Sequence, residues 1–207
     1  MQRTTIYKNK KERFFSIIVK NNGLLLIFTF LIIGLLIGAI SDKIGLSFNA
    51  ESFNNYLNLR QNKSFFYIFL NSFLSILPFY AVSFFAGTCM AGTFISPAIL
   101  LYRGYLLGSL IGYLYLNHGI IGILFNVLLI IPTAVISSIA LILSSREAFL
   151  FSLALSKLVF PGKVIEKNLF EDFKLYTKRQ LIWSLLFLLS CLVDALFSIS
   201  FLRFFNF

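Results

Sequence analysis

Two charged residues, Arg103 and Asp194, stand inside long apolar stretches of this sequence, and they are the first candidates for chemistry. An unpaired guanidinium within a bilayer costs at least ~2.5 kcal/mol, so Arg103 calls for a partner or a water-filled route. Asp194 is placed to supply that partner. The two lie ~14 Å and ~20 Å from the inner ends of their helices, a gap that an extended arginine crosses. They are expected to form an intramembrane ion pair that clamps two helices together. A proton or ion pathway through the same two residues is the rival reading, although transport usually needs more than one charge pair. His118, in the turn Asn117, His118, Gly119, has no carboxylate or cysteine beside it and reads as a turn residue rather than a metal ligand or general base. Cys89 and Cys191 fall in a short turn and in a span, with neither a disulfide framework nor a metal-ligand spacing. No nucleophile sits beside a base, and there are no paired carboxylates at the membrane surface, no phosphate-binding loop and no metal cluster. The chain therefore reads as non-enzymatic, with no cofactor.

The elements that must position these residues are membrane helices. The 207-residue chain is 58% hydrophobic and only 13% charged, with 26 phenylalanines, too apolar for a soluble domain of this length. Its net charge of +10 would suit nucleic acid in a soluble protein; here it is accounted for by basic residues that orient membrane helices. From Ser64 to Ser145 the one charged residue is Arg103. A bilayer core takes ~20 apolar residues per helix, so that run must fold back on itself. Punctuation at Gly87, Gly92, Asn117, His118 and Gly119 divides it into spans at residues 65–86, 94–116 and 120–143. With a first span at 23–40 and a last at 181–204, the fold expected is all-α: a polytopic integral membrane protein with about five transmembrane helices around a Gly-rich core.

Gly104, Gly108 and Gly112 recur every four residues along one face of the third span, leaving a groove for a neighbouring backbone. Gly34 and Gly38 offer the same close approach on the first span. Pro78 and Pro132 are expected to kink their helices, or alternatively to break a helix that lines a substrate path. Residues 1–22 form a cytoplasmic basic segment with Arg3, Lys8, Lys10, Lys11, Arg13 and Lys20, read as an uncleaved anchor. The outer loop, 41–64, is polar and asparagine-rich, with room for a short interfacial helix over 48–59. Residues 146–180 form an inner segment in which Ile165, Leu169, Phe173 and Tyr176 share one helical face, suited to lying on the inner leaflet or to docking another protein. Because both basic blocks must share a side, the expected topology is amino terminus inside, carboxyl terminus outside.

The order of these features resembles the stage II sporulation protein M family of endospore formers. The likeness rests on a first span ending Gly34-x-x-x-Gly38, an outer loop, the run from Gly87 through Thr88, Cys89, Met90 and Ala91 to Gly92, then Pro97, Arg103 with Gly104 and Gly108, and Ile131 with Pro132. It extends from about residue 23 onward and is most distinctive over 84–147. The broader family often carries a histidine after that proline and a glutamate shortly beyond; Thr133 and Ser137 stand there in this chain. What the resemblance implies is a non-enzymatic scaffold, multi-pass in the septal or mother-cell membrane, whose partners are membrane lipid and two peptidoglycan-degrading sporulation proteins, D and P. These would be recruited for septal wall thinning and engulfment, with no role for nucleic acid. The 41–64 loop, the 117–119 turn and the outer ends of the spans would be the recruiting surfaces. A transporter or permease-like subunit, with Arg103 and Asp194 lining a pathway, is the alternative; a water-accessible cavity between spans would favour it.

Overall fold

The computed structural model describes residues 23–41, 50–61, 63–159 and 169–204. The basic segment 1–22, residues 42–49 of the outer loop and residues 160–168 of the inner segment, with Ile165, lie outside the described residues. The chain is an all-α polytopic membrane fold, and among the described residues there is no strand. In chain order the helices are α1 (Gly23–Ser41), α2 (Ala50–Asn58), α3 (Phe65–Thr88), α4 (Gly92–Phe125), α5 (Ile131–Val159) and α6 (Leu169–Phe201). A π-helical turn, Asn126–Ile130, joins α4 to α5, and a 3₁₀ turn, Leu202–Phe204, follows α6.

Four helical runs are long and apolar enough to cross a membrane: Gly23–Ser41, Phe65–Thr88, Gly92–Ser156 and Phe170–Phe201. The third holds 65 residues. Straight, it would reach ~98 Å, about three bilayer cores. Gly119 breaks it with φ 54° and ψ −127°, a conformation that costs glycine little because it has no Cβ. Beyond the break, a Cβ on Gly122 would run into the carbonyl of Leu114, so the chain has turned back along itself. Two arms of this run plus the other three helices make five passes, and the turn falls where the Asn117, His118, Gly119 signal places it.

α1 and α4 run parallel with their backbones in contact. A Cβ on Gly34 would strike the Leu101 carbonyl and one on Gly38 that of Tyr105; from the other side, Gly104 meets Leu31 and Gly108 meets Leu35. Gly112 is buried one turn further on. Lipid tails are as apolar as leucine, so burial alone does little to drive helices together in a bilayer. Close backbone approach and small polar side chains do that work instead. Apolar residues such as Phe66, Phe94 and Ile120 face outward accordingly.

At the Gly92 end the helices are joined through hydroxyls and amides. Ser152 Oγ on α5 contacts the carbonyls of Cys89 and Met90 at 2.8 and 3.0 Å and accepts the Thr93 N–H at 3.1 Å, which satisfies an uncharged turn. Gln180 on α6 is fully buried; its Nε2 donates to the Ser144 carbonyl at 3.0 Å, and its Oε1 accepts from Ser144 Oγ at 2.8 Å. Tyr80 and Tyr176 donate to the carbonyls of Gln180 and Phe84 at 2.7 and 2.8 Å.

The inner segment differs from the expectation of a separate surface helix. Residues 146–159 continue α5 and residues 169–180 begin α6, so these helices run well past the 143 and 181 limits read from hydropathy. The reason is local. No breaker separates Gln180 from Leu181, and the polar residues have partners within the bundle: Arg179 Nη1 reaches Glu147 Oε2 at 2.8 Å, and Tyr176 is buried against Phe84 and Phe151. Pro132 sits just after the π-helical turn, where the backbone shifts register to accommodate the missing N–H.

Replacing Gly104 or Gly38 with alanine should force α1 off α4, costing about 1–3 kcal/mol, as overpacking does. The check is thermal unfolding in detergent, with Gly23→Ala as control, since nothing lies within 4 Å of a Cβ there.

Candidate functional site

Near the Gly119 end, five helices converge on a cavity of about 480 Å³ whose largely apolar walls carry a group of polar and charged side chains. Each wall contributes differently. α3 brings Asn71, Ser72 and Ser75; α4 brings Arg103; α5 brings Thr133 and Ser137; α6 brings Ser190 and Asp194; and α2 with the turn after it lays Tyr56 and Arg60 over the top. Cavities of this size fall within the range of small-molecule sites, about 300–1,000 Å³.

Asp194 and Arg103 do line one cavity, but the ion pair is not between them. Arg60 Nη2 donates to Asp194 Oδ2 at 2.8 Å, with both side chains 8% exposed. The hydroxyl of Ser72 donates to the same carboxylate oxygen and also touches the Ile68 carbonyl. The expected Arg103–Asp194 clamp is therefore replaced by an Arg60–Asp194–Ser72 cluster that joins the loop after α2 to α3 and α6. Position along the bundle explains the choice: Asp194 is ~15 Å from Phe204 at the Gly119 end, whereas Arg103 is ~22 Å below His118. The loop above reaches Asp194 first.

Arg103 instead donates from Nη2 to Ser137 Oγ at 3.3 Å, and its guanidinium carbon lies 5.2 Å from the centre of the Phe79 ring. A neutral hydroxyl and an aromatic face soften a buried cation without neutralising it. Arg60 is itself stacked on Tyr56, 3.7 Å from that ring's centre, and its Nε is buried without a partner. Burial works against the charge on Arg60, yet Tyr56 and Asp194 outweigh it and hold the guanidinium above its ordinary pKa. Burial likewise pushes the Tyr56 phenol up to about 12, partly opposed by Arg60. At neutral pH, then, Arg60 is a cation and Tyr56 a neutral phenol.

The short helix α2 is what delivers Arg60. Phe53, 2% exposed, packs against Tyr113, His118 and Phe125 with ring centres 5.7, 5.6 and 5.8 Å apart, and Leu57 is buried beside it. Helix α2 and the 117–119 turn thus meet in one surface. Residues 53, 56, 57 and 60 follow helical spacing, so a charge on the apolar face was readable in the sequence. His118 is at the turn as expected, and among the described residues no group of three or more His, Cys, Asp or Glu could hold a metal. Cys191 is buried and free, and Cys89 is exposed and free.

No protein-family model matches this chain, and neither a curated protein nor a solved structure is significantly similar to it.

Asp194→Leu should destabilise the protein by about 3 kcal/mol, because it leaves Arg60 buried without its counter-charge. The double variant Arg60→Met with Asp194→Leu should recover most of that loss, since it removes both charges. A double-mutant cycle on thermal unfolding checks this; equal losses for the single and double variants would contradict it.

Proposed function

We propose that this chain is a non-enzymatic membrane scaffold of the stage II sporulation protein M type, acting in the membrane of a sporulating cell. In this reading it recruits peptidoglycan-degrading partners of the sporulation D and P kind, so that septal wall is thinned and engulfment proceeds. The amino terminus is cytoplasmic, and the Gly119 end faces the wall. The observation that supports the reading is the single surface made by α2 and the 117–119 turn, with Phe53 seated against His118 and Arg60 tied to Asp194. A scaffold needs an extramembrane face whose shape is settled before its partner arrives, because ordering a loop on binding weakens the complex. An ion pair in a low-dielectric setting and a buried aromatic give α2 that fixed position.

A second reading, as a transporter or permease-like subunit, is favoured by one specific feature: the cavity between helices that has Arg103 and Asp194 on its walls. It places function in the cavity rather than on the surface above it.

The two readings separate in the living cell. Deleting the gene should stall engulfment and leave a persistent septum if the chain is the scaffold. Normal engulfment with altered uptake of a solute would instead establish the transporter reading. Phe53→Ala, which frees α2 while leaving Arg103 in place, should reproduce the engulfment defect in part and weaken co-purification of the wall hydrolases.

A further inference from the structure

The cavity does not balance its own charge. Its walls carry two guanidinium groups, Arg60 and Arg103, and one carboxylate, Asp194. The carboxylate makes its direct contacts with Arg60 at 2.8 Å and with the Ser72 hydroxyl, and it attracts Arg103 only through space. Arg103 remains with one hydroxyl at 3.3 Å and a ring face at 5.2 Å. Within a bilayer such a cation calls for a counter-charge or for water in the cavity beside it, and the described walls hold no second acid.

We infer that this cavity is a binding site for a single anionic group, a phosphate or carboxylate, held by Arg103. The chemistry of the remaining lining suits that ligand. The Asn71 side chain is a neutral amide on the same walls, Ser75 and Ser137 could turn their hydroxyls from the Asn71 and Ala134 carbonyls toward a ligand, and arginine's planar fork matches two oxygens of a phosphate or carboxylate at once. The neutral phenol of Tyr56 and the paired Asp194 add no free negative charge to repel an anion. Ser75 is exposed and Asn71 partly so, which marks the flank of α3 as the open side of the cavity. The mouth therefore lies on a wall of the bundle at ~9–15 Å from the start of α3, between the headgroup level and the midplane of a ~30 Å core, so a lipid headgroup has to be drawn well inward to fill it. A small soluble anion entering past α2 would present the same oxygens. This inference goes beyond the scaffold reading and does not depend on it.

The test uses the full chain, delipidated in non-ionic detergent, and follows Tm against added phosphatidylglycerol, phosphatidylcholine, inorganic phosphate and acetate. At least one anionic probe should give a saturable rise in Tm that phosphatidylcholine does not. A rise with phosphatidylglycerol alone identifies a lipid headgroup; a rise with phosphate or acetate identifies a free anion. Arg103→Gln should raise the half-saturating concentration about tenfold or more, the loss expected for a charge-assisted contact. Should that variant fail to fold, Ser137→Glu serves in its place. It sets an internal carboxylate beside Arg103, and should raise Tm in the absence of ligand while abolishing the response to anions. The proposal is overturned if no anionic probe shifts Tm, if phosphatidylcholine acts as strongly, or if the folded variants respond as the natural chain does.

Discussion

A carboxylate buried among apolar helices must find a cation, and in this protein the requirement falls on Asp194. Its partner, Arg60, comes from outside the bundle, so meeting the electrostatic demand also draws the α2 connection down onto the helices. Removing either member leaves the other desolvated and alone, which costs far more than the pair contributes over an apolar substitute. The pair is thus better understood as a device that specifies where α2 sits than as a source of stability. Once Asp194 is engaged, Arg103 is the charge left over, and the character of the cavity follows from that remainder.

The rest of the bundle is held by contacts suited to a setting where hydrophobic burial between helices contributes little. Between α1 and α4, glycines at Gly34, Gly38, Gly104 and Gly108 let carbonyl oxygens approach the facing helix at a distance no side chain permits. Between α3, α5 and α6 the link is a connected set of hydroxyls and one amide, Ser83, Ser144 and Gln180 with Tyr80 and Tyr176. Each such bond is modest, about 0.6 kcal/mol on average in membrane proteins, but several in one network define a unique arrangement of neighbours. The two ends of the molecule differ as a result. The Gly92 end is joined by hydroxyl and amide hydrogen bonds together with the Arg179–Glu147 ion pair, and the Gly119 end is closed by the Arg60–Asp194 cluster with Arg103 left over.

That asymmetry bears on function. A surface formed by α2 and the 117–119 turn stands directly above a cavity that favours an anion, and Arg60 belongs to both, through Tyr56 on one side and Asp194 on the other. Occupancy of the cavity and the seating of α2 therefore share a residue. A scaffold that holds its outer face through such a cluster has its presenting surface physically joined to the membrane-embedded site below it.

Membrane character, the all-α class and the reversal at Gly119 were legible in the amino-acid sequence alone, because length, hydropathy and glycine conformation are local properties. The glycine faces were legible too, since a four-residue repeat lines one side of a helix whatever lies opposite. Helix ends were less so: polarity at 146–159 and 169–180 resembled an exit from the membrane, while Arg179, Glu147, Gln180 and Tyr176 in fact find partners within extended helices. The choice of partner for Asp194 could only be made in three dimensions. Arg103 and Arg60 are equally basic on paper, and what separates them is which one the folded chain carries to the carboxylate, 134 residues away in sequence but 2.8 Å in space. Charge pairing falls off with distance and dielectric, and both are properties of the packed bundle rather than of the residue list.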